Sequence, residues 1–379
     1  MNRFALGATL ALMAAAMNLH AAVLPYTGVN LASAEFDPWS LPGTYGQNYE
    51  YPTNAEVDYY KSKGMNTIRL PFLWERLQPT GSQPFNTTEL GRLNSLVNYA
   101  TSQGMNVIID PHNYARYYNS ISTSANFSNL WARLAAEYKN NPRVMFGLMN
   151  EPNTMQTEAW LTLANSAIAA IRQAGATNTI LVPGNAWTGA HSWLQNWYGA
   201  PNGTVMKGVV DPLNNFIFEV HQYFDSDSSG THENEVVSPT IGVERVTAFT
   251  QWLKDNNYKA FLGEFGVPGS QVGLEAIDNL LDYMEANSDV WTGWSYWAGG
   301  PRWGDYAFSV EPSNGVDKPQ MSILAEHATG AAIPEPGTVA LIAMAIGFLA
   351  TLGIRRRFHR VNQPVPVRIL RRPLPAERR

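Results

Sequence analysis

Cysteine is absent from the 379-residue sequence. That excludes a disulfide, a thiolate metal centre and a thiol nucleophile. No Gly-x-Ser-x-Gly turn occurs, so a Ser-His-Asp hydrolase lacks its nucleophile elbow. No His-Glu-x-x-His occurs either, and His112 and His221 stand far apart in the chain. Metal-dependent hydrolysis therefore lacks its ligand pattern. No Gly-rich phosphate turn follows the first β-like run, which argues against a dinucleotide-binding doubly wound sheet. Basic residues are also scarce in the body of the chain. Lys and Arg total 26 against 31 Asp and Glu, but Arg3 and the nine arginines after Ile354 belong to the two ends. Setting these aside, with the single Glu of the same tail, leaves 16 basic and 30 acidic residues, a net of −14. Nucleic acid demands a basic footprint, and this body has none. A neutral ligand such as a polysaccharide remains compatible with it.

The two ends carry export features. "MNRFALGATLALMAAAMNLHAA" has one Arg, an apolar run and small residues, the pattern of a secretory signal peptide over residues 1–22, cut near Ala21 or Ala22. "IPEPGTVALIAMAIGFLATLGIRRRF" places Pro334-Glu335-Pro336 ahead of an apolar stretch, residues 338–354, closed by Arg355, Arg356 and Arg357. At about seventeen residues the stretch is just long enough to span a bilayer, with the arginines holding its end in the cytoplasm. Residues 331–357 resemble the PEP-CTERM sorting signal of Gram-negative bacteria. The resemblance implies an exosortase-type partner that cleaves near Pro334-Glu335-Pro336, transient inner-membrane anchoring, and an extracellular or cell-surface destination. A basic, Pro-rich tail, residues 358–379, continues beyond the arginines, where such signals normally end.

Between the ends, residues 23–330 read as one domain, without a Ser/Thr-Pro linker or low-complexity run. Hydrophobic residues make up 45% of the chain, with 12 Trp, 17 Tyr and 15 Phe, enough for a full core. Eight short β-like runs recur: "YTGVNLA", "MNTIRLPF", "MNVIIDPHN", "VMFGLMNEP", "NTILVPGN", "NFIFEVHQY", "KAFLGEFG" and "VWTGWSYWAGG". Amphipathic stretches separate most of them. "TELGRLNSLVNYATSQG" sets Leu90, Leu93, Leu96, Val97 and Ala100 on one helical face and stops at Gly104, and "EAWLTLANSAIAAIRQAG" behaves likewise before Gly175. Eight strand–helix alternations point to a (β/α)8 TIM barrel with a single catalytic domain.

In such a barrel the reacting groups sit at the C-terminal ends of the strands. The second run leads to Arg69. The third ends with Asp110, His112 and Asn113, the fourth with Asn150 and Glu151, and the fifth with Asn185 and Trp187. The sixth supplies His221 and Tyr223, the seventh Glu264, the eighth Trp294 and Trp297. Singly, each has a structural explanation: an ion-pair partner, a bonded core histidine, a packed Trp. Convergence at seven of the eight strand ends is what points to a site, because buried polar groups need partners. Glu151 closes the oily run "VMFGLMNEPN", where a carboxylate is costly unless it is paired, exposed in a cleft or working. Strands four and seven lie across a barrel from each other, so Glu151 and Glu264 are expected to face one another over its mouth. Retaining glycosidases hold two carboxyls roughly 5–5.5 Å apart and inverting ones about 6.5–9.5 Å. Spacing in sequence does not decide between them.

The ordered motifs "NTIRLPFLWERLQP", "VIIDPHNYARYYN", "LMNEPN", "EVHQYFDSDSSGT", "TAFTQWLKDNNYKAFLGEFG" and "VWTGWSYWAGGPRWGDY" resemble glycoside hydrolase family 5, the cellulase family, over most of the chain. The resemblance implies a retaining endo-β-1,4-glucanase that needs no cofactor or metal and takes a β-glucan polysaccharide as substrate. It implies Glu151 as general acid/base and Glu264 as nucleophile. It further implies Arg69 supporting the nucleophile, Asn150 on the sugar 2-hydroxyl, and His112 and His221 lining the cleaved-sugar subsite. Tyr223 would bond Glu264, Trp297 would be a stacking floor, and Asn113, Asn185 and Trp187 are further substrate contacts expected from their strand ends. Two departures stand out: family members often carry disulfides, and no separate cellulose-binding module is present. Endo-β-mannanase, xyloglucanase and mixed-linkage glucanase share both glutamates and differ in their loops. From another class, the alternative is a glycan-binding protein on a retired barrel.

Overall fold

The computed structural model describes residues 23–329. The expected signal peptide, sorting segment and basic tail lie outside the described residues. All eight β-like runs form parallel strands: β1 (Tyr26–Leu31), β2 (Thr67–Phe72), β3 (Asn106–Pro111), β4 (Val144–Gly147), β5 (Ile180–Pro183), β6 (Phe216–His221), β7 (Ala260–Glu264) and β8 (Trp291–Gly299). Each pairs with its sequence neighbours, and β8 closes the ring on β1. The strands are oily on both faces because one lies against helices and the other fills the barrel.

The helices follow from their own patterns. In α1 (Thr87–Ser102), Asn86 caps the first turn, its Oδ1 accepting the N–H groups of Thr88 and Glu89. This helix buries Leu93, Leu96, Val97 and Ala100, with Leu90 half-buried beside them. Helix α2 (Thr157–Gln173) buries Trp160, Leu163, Ala164, Ala167, Ile168 and Ile171. Two further helices, α3 (Gln271–Ala286) and α4 (Gln320–Thr329), pack against each other. Between β5 and β6 the alternation shrinks to a four-residue helix, Asn202–Val205, and a 3-10 turn. Among the described residues no helix is long and apolar enough to cross a membrane. The stretch expected to do so, residues 338–354, lies outside them.

The barrel interior changes character along its axis. Ile108, Met145, Leu181, Ile217 and Phe261, with Tyr26, make an apolar plug. Side chains alternate along a strand, so two residues further on the same inward face carries Asp110 on β3, Glu219 on β6, and no side chain at Gly147 and Gly263. A Cβ at Gly263 would lie 2.4 Å from Glu219 Oε1 and 2.9 Å from His221 Nε2. Glycine there leaves room for a buried carboxylate directly beneath the mouth.

Candidate active site

Arg69 points inward from β2 and is wholly buried. A guanidinium so placed is tolerable only with full pairing. Its Nε donates to Glu219 Oε1 (2.8 Å) and Nη1 to Asn30 Oδ1 and Glu264 Oε1 (both 2.9 Å). Nη2 donates to Asn150 Oδ1 (2.9 Å) and lies 3.1 Å from Asp110 Oδ2. From β2, one planar fork thus ties together groups on β1, β3, β6 and β7 and the segment after β4, a task lysine lacks the geometry for.

Glu264 ends β7. Beyond Arg69, its Oε2 accepts the Tyr223 hydroxyl at 2.8 Å. Burial alone would raise this carboxyl, but the charges of His221, Arg69 and His112 and the Tyr223 bond outweigh it and hold Glu264 below its ordinary 4.5. Glu151 follows β4 with φ 44°, a left-handed conformation costing roughly 1–2 kcal/mol for a side-chain-bearing residue. Its Oε1 meets His221 Nδ1 at 2.8 Å. Burial raises the Glu151 pKa above 4.5, and the lowering effect of His221 only partly offsets this. One oxygen of each glutamate and His221 Nδ1 lie within 4.8 Å of one another. Two carboxyls therefore meet at short range in environments that push their pKa values apart.

His221 is buried between them, its Nδ1 3.5 Å from Glu264 Oε2 and its Nε2 3.6 Å from Glu219 Oε1. Burial disfavours its charge, yet Glu264, Glu151 and Glu219 together raise its pKa to about 10. A register shift between Val220 and His221 sets it opposite Glu264 in the sheet. Glu151, His221 and Glu264 also have the donor types found in metal sites. His112 is oriented by Asp110 Oδ2 on Nδ1 (2.9 Å) and Asn150 Nδ2 on Nε2 (3.1 Å).

These groups open into a cleft of about 840 Å³. Trp297 stacks on His112 with centroids 5.5 Å apart and planes at 20°. Trp187 sits in a turn where Ala186, Trp187 and Thr188 all have φ between 52 and 55°. Such a run persists only when its surroundings hold it. Here the Trp187 N–H donates to Pro152 O (3.1 Å), and the Thr188 hydroxyl donates to Glu219 O (2.6 Å) while accepting the Gly184 N–H (2.8 Å). The bond to Pro152 puts Trp187 on the Glu151 side of the cleft.

Glu151, Glu264, His112, His221, Tyr223, Trp187 and Trp297 line the cleft, and Arg69 and Asn150 bond to Glu264 and His112 in its wall. Asn113 and Asn185, expected as substrate contacts, are not among the residues lining the cleft. Asn113 accepts the Trp74 N–H (2.8 Å) and donates to Glu75 (2.7 Å), joining the ends of β2 and β3. Asn185 donates to Met155 O (2.6 Å), and the Asn202 amide clasps its backbone. Asn113 thus holds the start of the short helix Trp74–Leu77, and Asn185 satisfies buried loop backbone. Sequence reasoning missed Glu219, Asn30 and the partner role of Asp110, as well as the lining aromatics Tyr114, Trp197 and Tyr306. Glu219 was findable, because it shares His221's face of β6 two residues earlier.

Residues 26–300 match the family model "Cellulase (glycosyl hydrolase family 5)", and residues 332–357 match the PEP-CTERM protein-sorting motif. The chain belongs to glycosyl hydrolase family 5. It is 43% identical over 300 residues to endo-beta-1,4-glucanase B of Aspergillus niger, covering 78% of this chain and 88% of the relative. Among solved structures it resembles an endo-beta-1,4-glucanase of Xanthomonas axonopodis pv. citri (46% identity, TM-score 0.79, 82% of this chain and 100% of that one). It also resembles XacCel5A in complex with cellopentaose (45% identity, TM-score 0.79, 81% and 100%).

Proposed function

We propose that this protein is an exported, retaining endo-β-1,4-glucanase in which Glu264 is the nucleophile and Glu151 the general acid/base. The observation that carries the reading is the pair of carboxyls with oxygens inside 4.8 Å, one held below and the other above its ordinary pKa. That approach suits direct attack by one carboxylate, because inversion leaves room for a water between them. Ionised Glu264 attacks the anomeric carbon while protonated Glu151 gives its proton to the departing glycosidic oxygen. Glu151, now ionised, then removes a proton from water, which displaces Glu264 and regenerates both groups. Arg69 and the Tyr223 hydroxyl keep Glu264 charged and aimed. Asn150 has a second amide hydrogen beyond the one facing His112, left for the sugar 2-hydroxyl.

Trp297 provides a flat apolar face for the sugar on the nucleophile side. Trp187, on the Glu151 side, and the half-exposed Trp197, 6.2 Å from it, offer faces to the leaving chain. The family match and the glucanase relatives favour β-1,4-glucan. Export through a signal peptide over residues 1–22, exosortase-type processing and transient anchoring by residues 338–354 complete the reading.

Reducing-sugar release from soluble cellulose derivatives tests it. Glu264→Gln should abolish hydrolysis with the fold intact, and normal turnover by that variant would refute the assignment. Glu151→Ala should retain substantial activity only on activated aryl cellobiosides, whose leaving groups need little protonation.

A further inference from the structure

Tyr223 follows β6 with its hydroxyl on Glu264, and its ring is nearly buried. Two contacts fix that ring. Phe308 stacks on it, with centroids 6.1 Å apart and planes at 17°. Gly230 presses on it so closely that a Cβ there would lie 2.7 Å from Cγ and Cδ1 and 2.9 Å from Cε1. With φ at 72°, Gly230 also occupies the left-handed region that side-chain-bearing residues rarely adopt.

The loop that delivers Gly230 has a hub. Asp225 is buried, and its Oδ1 accepts the Gly230 N–H at 3.0 Å. Its Oδ2 accepts the Ser229 hydroxyl (3.1 Å) and the His232 N–H (3.2 Å) and meets His232 Nδ1 (3.2 Å). Arg245 closes the base of the loop, Nη1 donating to Tyr223 O (2.7 Å) and Nη2 to Ser226 O (3.3 Å). A buried carboxylate committed wholly to turning one loop is costly unless that loop must hold its shape.

We propose that Asp225 and Gly230 are positioning residues for catalysis: Asp225 folds the loop so that Gly230 locks the Tyr223 ring, and the locked ring aims the hydroxyl that orients Glu264. Neither residue acts on the sugar chemically. This inference rests on the glucanase reading above, and wild-type activity on an aryl cellobioside tests that reading separately.

The experiment is a double-mutant cycle on that substrate. Gly230→Ala should lower kcat about tenfold or more with KM changed less than about threefold, since it tilts the Tyr223 ring out of line. In a Tyr223→Phe background, where no hydroxyl remains to be aimed, the same substitution should lower kcat by less than about twofold. Equal losses in both backgrounds, a loss confined to KM, or unchanged kinetics in a folded Gly230→Ala protein would overturn the proposal. Should Gly230→Ala fail to fold, Asp225→Asn takes its place in the same cycle with the same readings. If wild-type hydrolyses the substrate but the cycle is additive, the positioning role fails and the glucanase reading stands. If wild-type does not, the reading itself fails.

Discussion

His221 carries much of the charge balance of the site. Around it lie Glu151, Glu219 and Glu264, while Arg69 pairs with the last two and with Asp110. An imidazolium here neutralises part of a closely packed carboxylate cluster. Glu219→Gln keeps the shape and removes one charge, so the His221 pKa should fall from about 10 and kcat should fall with it. NMR titration of the ring reads the shift directly, and a wild-type value near the ordinary 6.5 would contradict this account. At this scale the sequence was legible where strand ends announce themselves. Glu151, Glu264, His112, His221 and Trp297 each close a β-like run. It was less legible where a buried polar group has structural partners: Asn113 and Asn185 sit at strand ends too, but Asn113 bonds the Trp74 N–H and the Glu75 carboxylate, and Asn185 the Met155 carbonyl. Glu219 hides the other way, as a carboxylate in mid-strand that only the inward alternation and the space at Gly263 make tolerable.

Among the elements, the eight strands were readable because apolar runs and helical periodicity alternate, and closure into a barrel follows from that rhythm. Loops carry no such period. The hairpin of Arg116–Tyr117 and Ser120–Ile121, and the short turn that replaces a long helix before β6, were not foreseen. One contact between elements has a testable energetic consequence. His327 on α4 meets Glu285 (2.8 Å) and Asp278 (3.0 Å) on α3. Burial opposes its charge, but these two carboxylates raise its pKa from 6.5 to about 9. A raised folded-state pKa means the stabilisation is full below about 6.5 and is lost as pH rises through about 9. Melting temperatures of wild-type and His327→Gln should therefore differ most below pH 6.5 and converge above pH 9. A gap that widens with pH would refute the ion-pair account of how α4 is held.

Across the whole molecule, two kinds of sequence information coexist. The acidic body, with a net of −14 outside the basic ends, suits a soluble enzyme acting on an uncharged polymer. The PEP-CTERM motif over residues 332–357 addresses that body to the cell surface. Processing of this segment predicts that protein recovered from its native host ends near Pro334-Glu335-Pro336 and lacks the signal peptide. Intact mass would show this, and a mature chain still reaching Arg379 would count against it.

The double displacement turns on which carboxylate bonds to the sugar. Incubation with an activated 2-deoxy-2-fluoro-cellobioside slows the second step and traps the glycosyl-enzyme, and peptide mapping by mass spectrometry then locates the adduct. We expect a single label on Glu264 and none in Glu264→Gln. A label on Glu151, or rapid turnover to a product of inverted configuration without any adduct, would contradict the central claim.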